Sequence, residues 1–473
     1  MESNEQRVKR SNKDSSKYVA IIVVIALVAG FWGGQAWTKR HYSVMEADGF
    51  NLLQASYSKI QDSYLYGANS GELIDGAIAG MVSSLGDQYS QYLANEAGES
   101  YADSYNSNFY GIGAEVQQAD GKYFISTLVK DMPAEKVGLK PADQIVTVDQ
   151  QSIEGNTFNE LLSKIRGKKG TSVVIGIKRG ATEQITEFNI ERAEIPVHTV
   201  SSKQLDNNIG MIAISRFSEA TDEEFKEALA SLMNAGEMKG LIIDLRSNPG
   251  GLLNQTVEIA NLLVPKGKKI LDVVYKNDEK TISFVSKQAK PFTIPIAVIV
   301  NEYSASASEV LAAALKDSAD AHIVGVTTYG KGVVQTYEQF RSGSVLVLTE
   351  AEWKTPSGSG IHKIGVEPTD VVELPEYVNL HPISAGIELK LNSFGDDVIA
   401  LQKLLLAVGY APSDNGLYDE ATMEAVKQYE SAKGIDVNGV YTDEVGNLLV
   451  EDIRNLLQAN DTQLKKAEDL LRK

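Results

Sequence analysis

Three serines alternate with two alanines in the segment "NEYSASASEVLAAALKDS", residues 301–318, which directly follows the apolar segment "IPIAVIVN". This pattern predicts a strand, a tight turn and a helix. Such an arrangement can lift a nucleophile above a sheet, next to the amides of the helix end. The segment lacks the GxSxG spacing of the ordinary esterase elbow. A plain helix cap is the alternative interpretation, because serine is a preferred N-cap residue.

A catalytic serine needs a base, because its hydroxyl is scarcely ionised at neutral pH. None of the five histidines stands in a compelling acid–histidine arrangement, so a serine–histidine pair is disfavoured. Lys331, in "TTYGKGVVQTYEQF", is the better candidate base. Its reference pKa of about 10.4 would have to fall by about three units, a shift that desolvation can supply. Gln335 is expected on the same face of an extended strand, where its amide could hold the amine without restoring its charge.

A phosphate-binding loop is a competing interpretation of the same lysine. The segment "GVTTYGKG" matches most of GxxxxGK, but Gly332 stands where that motif has the Ser or Thr that binds magnesium. The residues that follow also resemble a strand rather than the required helix. A nucleotide site is therefore disfavoured, and neither a cofactor nor a metal is predicted. The chain has no cysteine, which excludes disulfides and thiolate metal sites.

The segment "LIIDLRSNPGGLL" predicts a buried strand, a glycine-containing turn and a helix. Two interpretations remain open. The turn can be an ordinary strand-to-helix connection. Alternatively, an amide of Gly250 or Gly251 acts together with the amide of Ala307 as an oxyanion hole for acyl transfer. Asp244 and Arg246 are interpreted as structural partners rather than catalysts.

The N-terminus predicts a membrane anchor. Residues 18–38, which include "YVAIIVVIALVAGFW", carry no formal charge over 21 positions and would form a helix of roughly 31 Å. Basic residues precede this segment, as expected for the cytoplasmic side. The body of the protein would then lie outside the cytoplasmic membrane. A cleavable signal peptide is the competing interpretation.

The remaining chain predicts a multidomain α/β protein. A length of 473 residues requires several domains, and a net charge of −18 argues against a nucleic-acid partner. Helical periodicity over 42–95 gives way to short strands from residue 108. An alternation of strands and helices then predicts a mixed sheet. Two amphipathic helices are predicted in 389–449.

Four motifs together resemble the carboxy-terminal processing, or tail-specific, proteases of bacteria and chloroplasts: "SASASE", "GKGVVQ", "DLRSNPGG" and "GAIAGMVSSLGDQYSQYL". The likeness covers about residues 45–380. It implies a serine peptidase in which Ser306 is the nucleophile, Lys331 is the base and Gln335 orients that base. Ser304 and Ser308 would then serve capping and packing.

Residues 96–185 resemble the PDZ domain that this family inserts before its protease core. "FYGIGAEV" is similar to the loop that binds a peptide carboxylate with free amides. The candidate peptide-binding residues are Tyr110, Gly111, Ile112 and Gly113. Ala142 stands where glycine is usual, and Gln150 and Gln151 stand where the turn usually has glycine, so the turn geometry is expected to differ. The family's PDZ domain gates the protease, which makes Arg166 a regulatory candidate; a solvated charge after a helix is the alternative.

The segments "LKLNSFGDDVIALQKLLLAVGY" and "NGLYDEATMEAVKQYESAKGIDVNGVY" resemble a peptidoglycan-binding domain, with a helical cap lacking wall affinity as the alternative. A homodimer is expected through helices near the chain ends. The expected function is a membrane-anchored serine endopeptidase that cleaves proteins near apolar C-termini; a non-catalytic wall-bound scaffold is the alternative. The predicted regions are a cytoplasmic tail 1–17, a transmembrane helix 18–38, a helical dimerisation region 39–95, a PDZ domain 96–185, a protease core 186–385, a peptidoglycan-binding-like domain 389–449 and a C-terminal helix 450–473.

Overall fold

The computed structural model describes residues 48–103, 108–119, 121–180, 184–276, 280–380, 383–384 and 386–472. The predicted cytoplasmic tail and transmembrane helix lie outside these residues. Within the part of the chain that is described, no helix is long and apolar enough to cross a membrane. The chain divides into two compact units, one ending at Tyr92 and the other beginning at Leu93.

The N-terminal segment is helical, as predicted. Helix α1 spans Asp48–Ser63 and helix α2 spans Ser70–Ser83, followed by a short strand β1, Gln91–Leu93, and helix α3, Asn95–Asp103. Asn69 caps α2, because its Oδ1 accepts the amides of Gly71 at 2.8 Å and Glu72 at 3.3 Å. These bonds satisfy two of the amides that a helix start leaves without partners.

The PDZ-like module is a sheet covered by one main helix. Its strands pair in the order β3-β4-β5-β7-β8, with β6 on the side of β5. Their bounds are β3 Ala114–Ala119, β4 Lys122–Leu128, β5 Gln144–Val148, β6 Gln151–Ser152, β7 Ser172–Lys178 and β8 Thr186–Glu191; the helices are α4 Pro133–Lys136 and α5 Phe158–Ile165. Thr157 and Glu160 form a capping box that starts α5. Because β8 completes the sheet, the module runs past the predicted boundary at residue 185.

Two strands flank this module and pair with each other. Strand β2, Asn108–Gly111, lies antiparallel to β9, Ala193–Pro196, and forms a separate two-stranded ribbon. The chain therefore enters and leaves the module side by side. From β9 it continues directly into the protease core.

Two of the three positions that lack the usual glycine, Ala142 and Gln150, adopt left-handed backbone, whereas Gln151 does not. Ala142 has φ 69°, and the β5–β6 hairpin turns through Asp149 at φ 49° and Gln150 at φ 64°. Positive φ at both central residues is the signature of a type I′ turn, which glycine adopts most easily. A residue with a Cβ pays about 1–2 kcal/mol for this conformation. The module keeps its fold and carries local strain at these positions.

The core contains a six-stranded mixed sheet in the order β10-β11-β12-β15-β16-β19. Strand β10 is antiparallel to β11, and the other pairings are parallel. The bounds are β10 Val200–Gln204, β11 Ile209–Ile214, β12 Gly240–Asp244, β15 Ile296–Val300, β16 His322–Gly325 and β19 Asp370–Val371. The central strands "GLIID" and "IAVIV" are continuous apolar runs because both faces of the sheet are covered.

Helices cover the two faces of this sheet. Three of them pack on one face: α6 Thr221–Ala235, α7 Leu253–Leu263 and α8 Ala307–Ala319. On the other face, Ile242 and Ile299 pack with Ala467 and Leu471 of α12, Thr462–Leu471. The C-terminal helix is therefore an integral layer of the protease core. A single helix was predicted over 450–473, but the C-terminal helix begins only at Thr462.

A second sheet lies beside the active-site loops. Strand β18, Val345–Lys354, pairs antiparallel with both β17, Val333–Gln339, and β13, Lys269–Tyr275; β14, Thr281–Val285, pairs with the other edge of β13. The register of β17 against β18 shifts between Val334 and Gln335. This bulge changes the direction of the side chains that follow it.

The C-terminal domain contains three helices rather than the two predicted. They are α9 Asp396–Ala407, α10 Glu420–Lys433 and α11 Asp443–Ala459, so the predicted boundary at residue 449 falls inside α11. Gln402, the last residue of the "GDDVIALQ" motif, binds the segment that connects α9 and α10. Its buried amide donates to the Leu417 carbonyl and the Thr422 hydroxyl, both at 2.9 Å, and accepts the Gly416 amide at 3.0 Å.

We predict that Gln150→Gly stabilises the PDZ-like module by about 0.5–1 kcal/mol, because glycine removes the left-handed strain of the hairpin. Slower amide hydrogen exchange in β5 and β7 of the full chain would report the gain. Gln151→Gly is the matched control, since Gln151 is equally exposed but lies in strand β6. Equal destabilisation by both substitutions would contradict the strain argument.

Candidate active site

Three loops meet at one edge of the core sheet. Strands β12, β15 and β16 are adjacent and parallel, with Asp244 beside Ile299 and Val300 beside Gly325. Their carboxyl ends therefore lie together, where open α/β sheets place their ligand sites. The loop after β12 contains the two glycines, the loop after β15 contains the three serines, and the loop after β16 contains Lys331.

Ser306 has a strained backbone. It immediately precedes α8 and has φ 56° and ψ −113°, a region that residues with a Cβ rarely occupy. Its side chain is partly exposed, whereas the neighbouring Ser304 and Ser308 are fully buried. Strain of this kind is concentrated at functional sites, and here it falls on the predicted nucleophile.

The two buried serines attach the nucleophile turn to the glycine turn. Ser304 Oγ donates to the Leu245 carbonyl at 2.8 Å, and Ser308 Oγ donates to the Asn248 carbonyl at 2.9 Å. The Ala305 amide donates to the same Asn248 carbonyl at 3.0 Å. The alternation of serines thus puts two hydroxyls into the protein interior and leaves one beside solvent.

The glycine turn has room for no other residue. Gly250 has φ 101°, and a Cβ there would lie 2.8 Å from Ser306 Cβ. Gly251 has φ 145°, and a Cβ there would lie 2.0 Å from the Phe217 carbonyl oxygen. The close approach of the turn to Ser306 therefore depends on Gly250, and its close approach to Phe217 depends on Gly251.

The amides of this turn are not equivalent. The Gly250 amide donates to Asn248 Oδ1 at 2.9 Å, so it is already engaged, which corrects its prediction as an oxyanion donor. For the Gly251 amide, no acceptor is found among the described residues. The Ala307 amide belongs to the first turn of α8, where the helix supplies no acceptor. Gly251 and Ala307 remain the candidate donors.

Arg246 anchors the start of the glycine loop. Its guanidinium contacts Asp244 at 2.7 Å and Asp461, which caps α12, at 2.8 Å. Burial alone would lower the pKa of Arg246, but the hydrogen bond and charge of Asp244 and the charge of Asp461 outweigh it and raise that pKa. Asp244 and Arg246 have the structural role that the sequence predicted, and they tie the loop to the C-terminal helix.

The backbone of Lys331 is held at both ends. Its amide donates to Glu309 Oε2 at 2.9 Å, and its carbonyl accepts the indole Nε1–H of Trp353 at 3.1 Å. The side chain itself is partly buried. Lys331 precedes strand β17, which begins at Val333.

Gln335 reaches the site by a different geometry from the one predicted. The bulge between Val334 and Gln335 interrupts the strict alternation of faces on which the sequence argument relied. Its Nε2 donates to Thr349 Oγ1 of the neighbouring strand at 3.2 Å. Thr349 therefore orients the Gln335 amide, a role that no pattern in the sequence predicted.

One cleft of about 180 Å³ brings the predicted catalytic residues together. It is lined by Ser306, Lys331 and Gln335, and also by Gly251 and Ala307. Gly250 packs behind Ser306 without lining this space. No histidine occurs among the described residues that line it.

The rest of the cleft wall is mostly apolar. Leu252, Val310, Val333 and Trp353 contribute to it, and the last three are buried. The cleft can therefore accommodate an extended chain with apolar side chains next to Ser306 and Lys331.

The PDZ-like module has its own groove, of about 350 Å³. Gly111 and Ile112 line it together with Leu162, Ile165 and Arg166 from α5 and its C-terminal end. The other two candidates do not line it. Tyr110 is exposed in β2, and Gly113, at φ 76°, accepts the Val129 amide with its carbonyl.

Two residues of the site, Glu309 and Asn248, were not predicted from the sequence. Both are fully buried next to Ser306 and accept hydrogen bonds from its surroundings. A glutamate in the first turn of a helix ordinarily faces solvent, so its sequence position gave no sign of burial. Only the contact between the loops reveals it.

Profiles of known families match four parts of the chain. The profile of peptidase family S41 matches residues 208–372, and that of the PDZ domain matches 111–190. The "Activating protease CtpB N-terminal domain" matches 33–97, and a "Putative peptidoglycan binding domain" matches 394–449. Their order along the chain is the order in which the structure places the corresponding modules.

Two curated relatives cover most of the chain. Carboxy-terminal processing protease CtpA of Bacillus subtilis (strain 168) is 39% identical over 466 residues, which is 98% of this chain and 99% of that protein. CtpB of the same organism is 38% identical over 421 residues, 88% of this chain and 87% of that protein. The solved photosystem II D1 C-terminal processing protease is 26% identical, covers 73% of this chain and 93% of its own, and has a TM-score of 0.41. The chain belongs to the carboxy-terminal processing proteases of peptidase family S41, serine peptidases that carry a PDZ domain.

Proposed function

We propose that the protein is an endopeptidase that cleaves protein substrates near apolar C-termini with a Ser306–Lys331 dyad assisted by Gln335. The observation that carries the proposal is the single cleft that all three side chains line. Family membership favours this activity over the alternative of a non-catalytic scaffold.

The chemistry follows from the two side chains. The neutral amine of Lys331 takes the proton of Ser306 as its Oγ attacks the scissile carbonyl. The protonated amine then delivers that proton to the leaving amine, and water later hydrolyses the acyl-enzyme. Gln335 can hold the amine by hydrogen bonding without adding a charge. A carboxylate at that position would favour the ammonium form and remove the base.

Gly251 and Ala307 are proposed to supply the oxyanion hole. Both residues line the same cleft as Ser306, and their amides are available for the oxygen that becomes negative in the transition state. The Asn248 side chain fixes this turn, because it accepts the Gly250 amide and donates to the Ile214 carbonyl at 2.8 Å. A rigid donor pair needs no reorganisation during the reaction.

The PDZ groove is proposed to bind the substrate tail. Ile112, Leu162 and Ile165 give it an apolar lining that suits an apolar C-terminal side chain. PDZ domains bind such tails as an added strand with the terminal carboxylate on backbone amides. Arg166 lies in this groove, so tail binding and a regulatory contact by Arg166 would compete for the same space.

Location and assembly are proposed from the sequence and the N-terminal helices. The apolar segment 18–38 would anchor the chain in the cytoplasmic membrane, with the catalytic part outside. Exposed apolar side chains on α1 and α2, including Leu52, Leu53 and Met81, suit contact with a second copy. The C-terminal domain, which matches the peptidoglycan-binding profile, would keep the enzyme close to the cell wall.

We predict that Ser306→Ala and Lys331→Ala each lower kcat/KM by at least about 1,000-fold on a peptide with an apolar C-terminus. The two residues act as one unit, so the loss of either the nucleophile or the base removes the function of both. Circular dichroism should show that both variants fold. A serine-reactive fluorophosphonate should label the wild type and not Ser306→Ala. Comparable turnover by either alanine variant would exclude the dyad.

Gly250→Ala is expected to lower activity by about 100-fold, because its methyl group would displace Ser306 and the first turn of α8. Steady-state cleavage measures the loss. Gly360→Ala is the control, because a Cβ at Gly360 meets no atom within 4 Å. Full activity of Gly250→Ala would show that the turn does not pack on the nucleophile as described.

Leu162→Asp should raise KM about tenfold for substrates with apolar tails, because it puts a charge into an apolar groove. The KM for substrates with charged tails should change much less, and kcat should be unchanged. Ser163→Asp, on the exposed side of the same helix, is the control. An unchanged tail preference in Leu162→Asp would remove the PDZ groove from substrate selection.

A further inference from the structure

We infer that Glu309 is a positioning residue that fixes the nucleophile and the base relative to each other, an inference that rests on the proposed Ser–Lys mechanism. Glu309 lies in the first turn of α8 and its side chain is fully buried. It does not line the cleft, so it acts through the backbone of its neighbours and not on the substrate.

Both oxygens of Glu309 are fully used. Oε2 accepts the amides of Ser306 at 2.7 Å and Lys331 at 2.9 Å. Oε1 accepts the amide of Gly330 at 2.7 Å and the hydroxyl of Thr328 at 2.5 Å. A carboxylate offers about four acceptor sites, and here each site has one donor.

These donors come from two separate loops. Ser306 follows β15, whereas Thr328, Gly330 and Lys331 follow β16. One oxygen of Glu309 is shared by the backbones of the proposed nucleophile and the proposed base. A shift of either loop would leave a buried carboxylate short of donors, which is strongly unfavourable. The separation of the two catalytic backbones is therefore coupled to the satisfaction of this carboxylate.

Helix capping alone does not explain the arrangement. A glutamate at the third helical position commonly accepts the amide of the cap residue, as Glu309 does from Ser306. Capping accounts for that bond, but the other three donors belong to the base loop. The Thr328 hydroxyl in turn accepts the Val366 amide at 2.7 Å. Val366 therefore helps to position the hydroxyl that donates to Glu309.

Two other roles make different predictions. If Glu309 only stabilised the fold, its loss would lower the unfolding temperature without a specific effect on kcat. If it acted only through its charge, a neutral residue would favour the uncharged amine of Lys331. The pH–rate profile would then move to lower pH with an unchanged plateau. A positioning role lowers the plateau itself.

The test is Glu309→Gln in the full chain. Glutamine keeps the size but replaces one acceptor oxygen with an NH₂ group, so donors on one side must face another donor. We expect kcat and the rate of fluorophosphonate labelling to fall about 100-fold at every pH, with KM changed less than about threefold. The variant should remain folded by circular dichroism.

Glu430→Gln is the matched control. Glu430 is also buried and accepts two backbone amides, from Asn438 at 3.0 Å and Gly439 at 2.8 Å, but it lies in the C-terminal domain. It should lose stability in that domain while kcat remains that of the wild type. An equal loss of kcat in both variants would overturn the positioning role.

The remaining outcomes separate this inference from the proposed function. Labelling that persists in Ser306→Ala would refute the dyad itself. Labelling that depends on Ser306 but is as fast in Glu309→Gln as in the wild type would refute only the role of Glu309. If Glu309→Gln does not fold, Thr328→Val is the alternative test. It removes the hydroxyl that donates to Glu309, and we expect kcat to fall about tenfold. A folded Thr328→Val with unchanged kcat would overturn the inference.

Discussion

The parallel pairing of β12, β15 and β16 is the constraint on which the site depends. Each strand is buried on both faces, so its register is set by the core and not by the loops. The loops that leave the three carboxyl ends must therefore meet. Hydrogen bonds from Ser304 to the Leu245 carbonyl and from Ser308 to the Asn248 carbonyl then fix the distance between two of them, and Glu309 bridges to the third. The position of Ser306 beside the other two loops is therefore a consequence of the order of the strands in the sheet.

This arrangement explains why a strained serine persists. The positive φ of Ser306 is unfavourable for a residue with a Cβ, so contacts with the surrounding residues must stabilise it. Its amide is bound to Glu309, and the nearby Ala305 and Ser308 are held to the glycine turn. The C-terminal helix adds a further support through the ion pair of Arg246 with Asp461. Regions far apart in the sequence, from residue 244 to residue 461, thus stabilise one turn.

Sequence patterns could predict the parts but not how they are joined. Strand, turn and helix around Ser306 follow from local periodicity, as does the amphipathic α5. The bulge at Gln335 and the engagement of the Gly250 amide do not, because both arise from pairing with residues that are distant in sequence. The burial of Glu309 is likewise decided by a loop about 20 residues away. A helix at the C-terminus was predicted, but its packing against the core sheet was not, because only a few of its positions, among them Ala467 and Leu471, are buried.

The central claim is that Lys331 presents an uncharged amine to Ser306. A crystal structure of the full chain with a peptidyl inhibitor bonded to Ser306 tests it most directly. The account predicts that Lys331 Nζ lies about 2.6–3.2 Å from Ser306 Oγ, with Gln335 beside it and no bulk water in contact with the amine. An amine that points into solvent, beyond hydrogen-bond reach of the serine, would contradict the account.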